Sequence, residues 1–164
     1  MTRANDPVYT VLMLSVAALA TAFTAQYGFG LRPCELCLFQ RIPYGVVIFL
    51  ALLGLGLRLN PKKTALLLGL CFLAFAANSG LALYHVGVEQ HWWQGPTACT
   101  GGLNTVHSVE DLAAMLSKPI DIPQCDKPAW LLFGVSMAGY NLLACVGLAG
   151  FSLLAARRLM GRVR

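Results

Sequence analysis

The residues best suited to chemistry in this sequence are its cysteines, two of which form a C-x-x-C pair. The pair is Cys34-Glu35-Leu36-Cys37, and Arg41 follows four residues after the second cysteine. Cysteine reacts as a thiolate, and a helix N-terminus or a nearby cation favours that form. Because Cys37 is predicted to lie at the start of an apolar helix with Arg41 on the same face, we expect Cys37 to be the thiolate of the pair.

A C-x-x-C pair also occurs in haem-attachment and zinc sites. Haem attachment requires a histidine directly after the second cysteine, where this chain has Leu38. A structural zinc site takes four ligands from one cluster. Thiol–disulfide exchange is therefore the favoured interpretation. Arg41 then either stabilises the Cys37 thiolate or lies at the membrane interface without a chemical role.

The other four cysteines divide into two classes. Cys99 and Cys125 lie 26 positions apart in a long polar segment. A disulfide between them would stabilise the fold by about 3 to 4 kcal/mol on the chain-entropy model, so a structural bridge is the favoured interpretation of this pair taken alone. Cys71 and Cys145 lie within apolar stretches, where cysteine usually packs as a small hydrophobic residue. We leave both out of any mechanism.

Most of the chain consists of apolar stretches long enough to cross a membrane. Apolar residues make up 57% of the sequence and charged residues 12%, with a mean hydropathy of +0.66. A hydrocarbon core about 30 Å thick requires about 20 such residues per helix. The sequence predicts an all-α membrane protein, a single antiparallel four-helix transmembrane bundle, with spans near 8–29, 38–57, 64–86 and 129–154.

The basic residues indicate how these spans are oriented. They cluster before the first span, between the second and third, and after the fourth. The positive-inside rule then places both termini inside and the two loops, about 30–37 and 87–128, outside. Since these residues report topology, no basic patch remains for nucleic acid. A cleaved signal peptide is the alternative for the first stretch, but the apolar run is longer than a typical signal core.

The second outer loop has a helical pattern of its own. Ser108 precedes two acidic residues in an arrangement like a capping box, and apolar residues follow at helical spacing. We expect a short amphipathic helix here. It either lies flat in the membrane interface, a depth that Trp92 and Trp93 also favour, or packs against the ends of the spans.

One C-x-x-C pair and one wide cysteine pair on a four-span chain resemble the DsbB family of disulfide-bond formation proteins. The resemblance covers nearly the whole chain. Gln40 departs from it, because some relatives carry an acid there. The most specific segments are Pro33-Cys34-Glu35-Leu36-Cys37-Leu38-Phe39-Gln40-Arg41, the wide pair, and Cys125-Asp126-Lys127-Pro128-Ala129-Trp130 running into Phe133-Gly134-Val135-Ser136-Met137.

The resemblance implies a protein-dithiol:quinone oxidoreductase of the bacterial inner membrane, with cytoplasmic termini and periplasmic redox loops. A periplasmic thioredoxin-fold protein of the DsbA type would attack the Cys99–Cys125 disulfide at Cys99. Cys125 would then attack Cys34, and Cys37 would pass two electrons to ubiquinone or menaquinone from the membrane pool. The resemblance therefore favours an exchangeable disulfide over a purely structural one at Cys99 and Cys125.

The quinone-binding residues implied by the resemblance are Cys37, Arg41 and His85. His85 ends the third span, where it either donates to a quinone oxygen or faces water. Two other functions remain open. One is a non-enzymatic membrane scaffold with permanent disulfides, and the other is a membrane zinc protein that uses the cysteines and His85. We favour the oxidoreductase and expect no metal.

Overall fold

The chain folds into a bundle of four long helices. The structure is a computed structural model and describes residues 5–96 and 125–162. Helix α1 continues into a π-helical turn, α2 and α3 form one interrupted span, and a two-stranded antiparallel hairpin precedes α5. The bounds are α1 Asp6–Phe23 with the π-turn Thr24–Gly28, α2 Glu35–Phe39, α3 Arg41–Gly56, α4 Pro61–Glu89, β1 Leu131–Leu132, β2 Val135–Ser136 and α5 Met137–Gly161.

Four helical segments are long and apolar enough to cross a membrane: α1 with its π-turn, α2 with α3, α4, and α5. The predicted four-span fold is therefore confirmed. Large apolar side chains such as Phe49, Leu66 and Leu143 remain exposed on the outside of the bundle. In a soluble protein such a surface would aggregate, whereas in a bilayer it is the surface that faces lipid.

Helices α4 and α5 form the most extensive contact in the bundle, and α1 and α3 pack as a second pair against it. The buried face of α5 is rich in small residues, including Ala149, Ser152 and Ala156. Lipid supplies no hydrophobic driving force between spans, so close approach of helix backbones over small side chains takes its place. Phe75 and Leu68 of α4 fill the centre of this core.

The turn between α3 and α4 is tight and well defined. Arg58 adopts a positive φ of 47°, and Asn60 caps α4 by accepting a 2.9 Å hydrogen bond from the Lys63 N–H. Pro61 occupies the first turn, where its missing N–H would have no helical partner. This cap and proline fix the point at which the third span begins.

The second span is interrupted at Gln40, between α2 and α3. Pro43 follows three residues later and has no N–H with which to bond the carbonyl of Phe39, so the helical ladder breaks here. The adjacent Gln40 carbonyl accepts a hydrogen bond from the Asn78 side chain at 3.1 Å. The interruption makes α2 a short helix that is distinct from the rest of the span.

The predicted fourth span, 129–154, begins too early. The helix starts at Met137 and ends at Gly161. Residues 131–136 instead form the β1–β2 hairpin, whose turn places Phe133 and Gly134 at φ values of 50° and 78°. Ser136 then caps α5 by accepting from the Gly139 N–H at 3.1 Å. Hydropathy alone did not distinguish this apolar hairpin from the helix that follows it.

Two predictions fall outside the described residues: the short amphipathic helix that follows Ser108, and the position of Cys99.

We expect Asn60→Ala to lower the free energy of unfolding by about 1 kcal/mol, because the first turn of α4 loses its side-chain acceptor. Asn60→Asp keeps an acceptor and adds a negative charge at the positive end of the helix, so it should retain most of the stability. Unfolding in mixed micelles would measure both. An aspartate variant as unstable as the alanine variant would contradict the capping role.

Candidate dithiol site

The C-x-x-C pair lies where α2 begins, and its two sulfurs are in direct contact. Cys34 is the N-cap residue of α2 and accepts from the Cys37 N–H at 3.3 Å. The Cys34 thiol donates to Cys37 Sγ across 2.8 Å, and both cysteines are in the free thiol form. Cys37 therefore receives hydrogen-bond support for a negative charge, which agrees with the expected thiolate assignment.

The other member of the pair holds its proton firmly. The hydrogen bond to Cys37 is the largest cause, followed by burial, and together they raise the pKa of Cys34 to about 12. Both effects favour the neutral form of Cys34, since the first needs its proton as donor and the second disfavours charge. At neutral pH the reduced pair therefore keeps a proton on Cys34.

His85 of α4 lies beside Cys34 rather than in water. Only 3% of its surface is exposed, and Nε2 lies 3.5 Å from Cys34 Sγ. The same nitrogen is 3.8 Å from Oε1 of Glu89, whose other carboxylate oxygen accepts a hydrogen bond from Ser136. The alternative of a water-facing histidine is wrong for this structure.

The second ring nitrogen of His85 connects to a line of polar side chains inside the bundle. Gln40 Nε2 lies 2.9 Å from His85 Nδ1, and Asn141 Nδ2 donates to Gln40 Oε1 at 2.6 Å. Tyr44 donates to Asn141 Oδ1 at 2.7 Å and lies 3.2 Å from Cys145 Sγ. We call Tyr44, Asn141, Gln40 and His85 the amide chain.

Arg41 lies at the same site but is held by α1 instead of by Cys37. Its guanidinium donates to Gln26 Oε1 at 2.6 Å and stacks 4.9 Å from the centre of the Phe23 ring. Gln26 belongs to the π-helical turn, a type of local irregularity that often occurs at functional sites. Arg41 is therefore a fixed cation near the dithiol, held by Gln26 and Phe23, and not the expected partner of the Cys37 thiolate.

A cavity of about 610 Å³ connects these groups. Cys34, Cys37, Arg41, His85 and Glu89 all lie on its wall. Most of the rest is apolar or aromatic. These residues come from α1, from the segment between the π-turn and α2, from the segment before α5, and from α5 itself, and they include Ala18, Leu19, Ala22, Leu31, Trp130, Leu132, Met137, Tyr140 and Ala144. The arrangement is a mainly apolar pocket with a few convergent polar groups, which is typical of a small-molecule site.

Three of the remaining cysteines, Cys71, Cys125 and Cys145, lie in the described part of the chain. Cys125 is 1% exposed and packs into one buried cluster with Cys34, Leu36 and Val88. Cys71 is buried in the hydrophobic core. Cys145 is also buried there, yet it lies within hydrogen-bonding distance of Tyr44 and of Asn78 Nδ2, 3.2 Å from each.

Sequence reasoning missed several residues of this site: Gln26, Tyr44, Glu89, Ser136 and Asn141. One signal was available for Asn141, because a carboxamide within an apolar span is expensive to bury and therefore suggests a function. Glu89 sits one turn after His85 on α4, and that spacing could have identified it.

The site therefore defines an integral membrane protein with a reduced dithiol beside a buried imidazole and an apolar cavity. The sequence model of the family Disulfide bond formation protein DsbB matches residues 5–155. The chain belongs to the DsbB family, and it is accordingly a membrane protein of disulfide-bond formation with disulfide-forming oxidoreductase activity.

Individual relatives agree with the family match. An uncharacterized protein of Rickettsia prowazekii is 34% identical over 136 residues, 81% of this chain and 76% of its own. Disulfide bond formation protein B of Hahella chejuensis is 30% identical over 150 residues, covering 87% and 88%. Disulfide bond formation protein B 2 of Pseudomonas syringae is 30% identical over 157 residues, covering 91% and 86%. No solved structure matches the chain.

We expect Cys37→Ala to lower the pKa of Cys34 from about 12 towards its ordinary value of 9.0, because the largest cause of the rise is lost while burial remains. The measurement is the ultraviolet thiolate absorbance during a pH titration, in a chain whose other cysteines are alanine. Cys37→Ser keeps a hydrogen-bonding partner and should give an intermediate value. A Cys34 titration that does not depend on residue 37 would contradict the coupling.

Proposed function

We propose that this protein oxidises the dithiol of a periplasmic thioredoxin-fold protein of the DsbA type and reduces a membrane quinone. In the net reaction, two thiols form one disulfide, and the quinone takes up two electrons and two protons to leave as quinol. The quinone is ubiquinone or menaquinone. The observation that carries this proposal is the 610 Å³ apolar cavity with the C-x-x-C pair on its wall.

The size and chemistry of this cavity suit a quinone ring. Its volume falls within the range of about 300 to 1,000 Å³ that small-molecule sites occupy. Aromatic and aliphatic side chains can cover the faces of a flat ring, while Arg41 and His85 supply donors for its two oxygens. A lipid-soluble acceptor also has direct access to a site within the membrane bundle.

Each polar residue then has a specific task. Cys37, stabilised by the Cys34 thiol, is the sulfur that delivers electrons. The Arg41 guanidinium, fixed by Gln26, stabilises the negative charge that develops on a quinone oxygen during reduction. His85 donates to the second quinone oxygen and takes part in the transfer of the Cys34 proton. Cys37, Arg41 and His85 are also the residues that the resemblance to the DsbB family implies for quinone binding.

Electrons enter through the second cysteine pair. A thiolate of the partner attacks Cys99 of the Cys99–Cys125 disulfide, and the released Cys125 thiolate attacks Cys34 of the Cys34–Cys37 disulfide. A Cys34–Cys125 disulfide forms and Cys37 leaves as thiolate. The second thiol of the partner then resolves the mixed disulfide at Cys99, and the released Cys99 attacks Cys125, which restores the Cys99–Cys125 disulfide and returns Cys34 as a thiol. The burial of Cys125 in one cluster with Cys34 supports this transfer, because the two residues pack against the same apolar side chains.

This function requires a defined orientation in the bacterial inner membrane. The basic segments that flank the spans favour cytoplasmic termini, which leaves the C-x-x-C pair and the long loop on the periplasmic side. Disulfide exchange is chemically possible there because the periplasm is oxidising.

Metal binding is a second candidate, favoured by one observation. Ligand atoms of Cys34, Cys37 and His85 lie within 4.8 Å of one another. We place this function second because the adjacent cavity is far larger than an ion requires and is mostly apolar. If zinc were the resident group, it would co-purify in stoichiometric amount and protect the thiols from alkylation.

Single replacement of Cys34, Cys37, Cys99 or Cys125 by alanine is expected to abolish quinone-dependent oxidation of a reduced DsbA-type protein, because each sulfur takes part in a covalent step. Cys71→Ala is the matched control and should remain active, since that thiol lies in the core. Anaerobic quinone reduction, followed by absorbance, measures both. Full activity without Cys37 would refute the mechanism.

Redox titration of the four outer cysteines separates this enzyme from a scaffold with permanent disulfides. Catalytic cysteine pairs should equilibrate with a thiol buffer poised near the reduction potential of thioredoxin. Structural disulfides usually have potentials below about −300 mV and should stay oxidised.

We expect Arg41→Ala to raise the KM for quinone about tenfold or more, the effect of losing one charged hydrogen bond of about 1.5 to 3 kcal/mol. Arg41→Lys should recover part of the loss through its charge alone. Steady-state kinetics with a soluble quinone analogue would measure both. An unchanged KM together with an unchanged kcat in the alanine variant would remove Arg41 from the quinone site.

A further inference from the structure

We propose that the amide chain is a reversible device that sets the tautomer of His85, so that Nε2 either donates a hydrogen bond to Cys34 or accepts the Cys34 proton. Gln40, Asn141 and Tyr44 are then positioning residues that act through His85. This inference rests on the proposed function, in which Cys34 must both hold and release a proton.

In the structure the amide chain runs in one direction. Tyr44 donates to Asn141, Asn141 donates to Gln40, and Gln40 Nε2 faces His85 Nδ1. With Gln40 as the donor, Nδ1 is the acceptor, so the neutral imidazole carries its hydrogen on Nε2. That hydrogen faces Cys34 Sγ at 3.5 Å. Cys34 itself donates to Cys37, so its sulfur has lone pairs with which to accept.

The same residues satisfy the opposite direction equally well. Each carboxamide has a donor at one side and an acceptor at the other, and turning it over exchanges them. After both amides turn, His85 Nδ1–H donates to Gln40, Gln40 donates to Asn141, and Asn141 donates to the Tyr44 oxygen. The Tyr44 hydroxyl then donates to Cys145 Sγ, which lies 3.2 Å away. Each link of the amide chain keeps one donor and one acceptor in this exchange, while Cys145 loses its S–H donation to Asn141 Oδ1 at 3.6 Å and accepts from Tyr44 instead.

The reversed direction frees His85 Nε2 to act as a base. As the Cys34–Cys37 disulfide forms, the Cys34 S–H bond breaks, its proton goes to Nε2, and the electron pair goes to the quinone. The imidazolium formed at this point lies 3.8 Å from Glu89 Oε1, which offsets its charge. The proton continues to a quinone oxygen, and the second proton of the quinol comes from the periplasmic water.

The positions of the Gln40 and Asn141 carboxamides support this inference. Gln40 and His85 are buried, and no described water-exposed side chain interrupts the line from Tyr44 to His85. In such a site a carboxamide links two partners without adding charge, whereas a carboxylate only accepts. Gln40 is thus the residue on which reversal depends.

Gln40→Glu tests the proposal directly, since a carboxylate accepts from His85 Nδ1–H and fixes that tautomer. Nitrogen-15 NMR of the reduced protein would read the tautomer in a His91→Asn, His107→Asn background, where His85 is the only histidine. We expect the hydrogen on Nε2 when Gln40 is retained and on Nδ1 in the Q40E variant. Ser152→Ala on α5 is the matched control, because it removes a buried hydroxyl that makes no hydrogen bond among the described residues.

Asn141→Leu tests the link from Gln40 to Tyr44. The variant leaves His85 and Gln40 in place but removes the donor that orients the Gln40 amide, so both His85 tautomers should be populated. We expect kcat to fall about tenfold, as for one lost buried hydrogen bond. The inference is overturned if His85 keeps one tautomer in wild type, Q40E and N141L, or if S152A changes it as much as they do.

Quinone reduction, measured on the same samples, distinguishes a failure of the amide chain from a failure of the proposed function. Wild-type protein that reduces quinone while the His85 tautomer is insensitive to Q40E refutes the amide chain alone. Wild-type protein in which Q40E moves the tautomer, but which reduces no quinone with any reduced dithiol partner, refutes the proposed function and leaves the tautomer control standing.

Discussion

The structure depends on one constraint: a polar group buried in a membrane bundle must find its hydrogen-bond partner within the protein. Here the groups are carried by three spans and meet at one depth. Gln40 comes from the interruption between α2 and α3, His85 from α4 and Asn141 from α5. Each of these side chains satisfies another, so the bundle must close in one register to bury them. The same contacts hold the imidazole beside Cys34.

The second span, interrupted at Gln40 because of Pro43, meets this requirement and serves the chemistry. Because the helical ladder ends at Gln40, α2 is a separate short helix whose N-cap is Cys34 and whose first turn contains Cys37. Cys34 Sγ therefore contacts Cys37 Sγ and accepts a hydrogen bond from the Cys37 N–H at 3.3 Å. The Gln40 carbonyl at the break accepts a hydrogen bond from the Asn78 side chain, which ties this irregular backbone to α4 inside the protein.

Sequence patterns predicted the spans well because length and hydropathy are properties of single helices. They placed Cys37 and His85 correctly near one end of the bundle, but they assigned Arg41 to the thiolate, whereas α1 holds it through Gln26. They also extended the fourth span over an apolar hairpin. Contacts such as Asn141 with Gln40 join residues 101 positions apart, and only the packing of the spans determines them.

The distribution of charge around the cavity supports the same chemistry. Arg41 is held by a neutral amide and an aromatic ring, so its positive charge is not cancelled by a carboxylate in those contacts. Glu89 lies beside His85 instead, where an acid can balance an imidazolium. In the proposed reaction, Arg41 would stabilise the negative charge on a quinone oxygen and Glu89 would balance the imidazolium of His85. A glutamate in place of Gln40 would disturb this separation, because it would add a second negative charge next to His85.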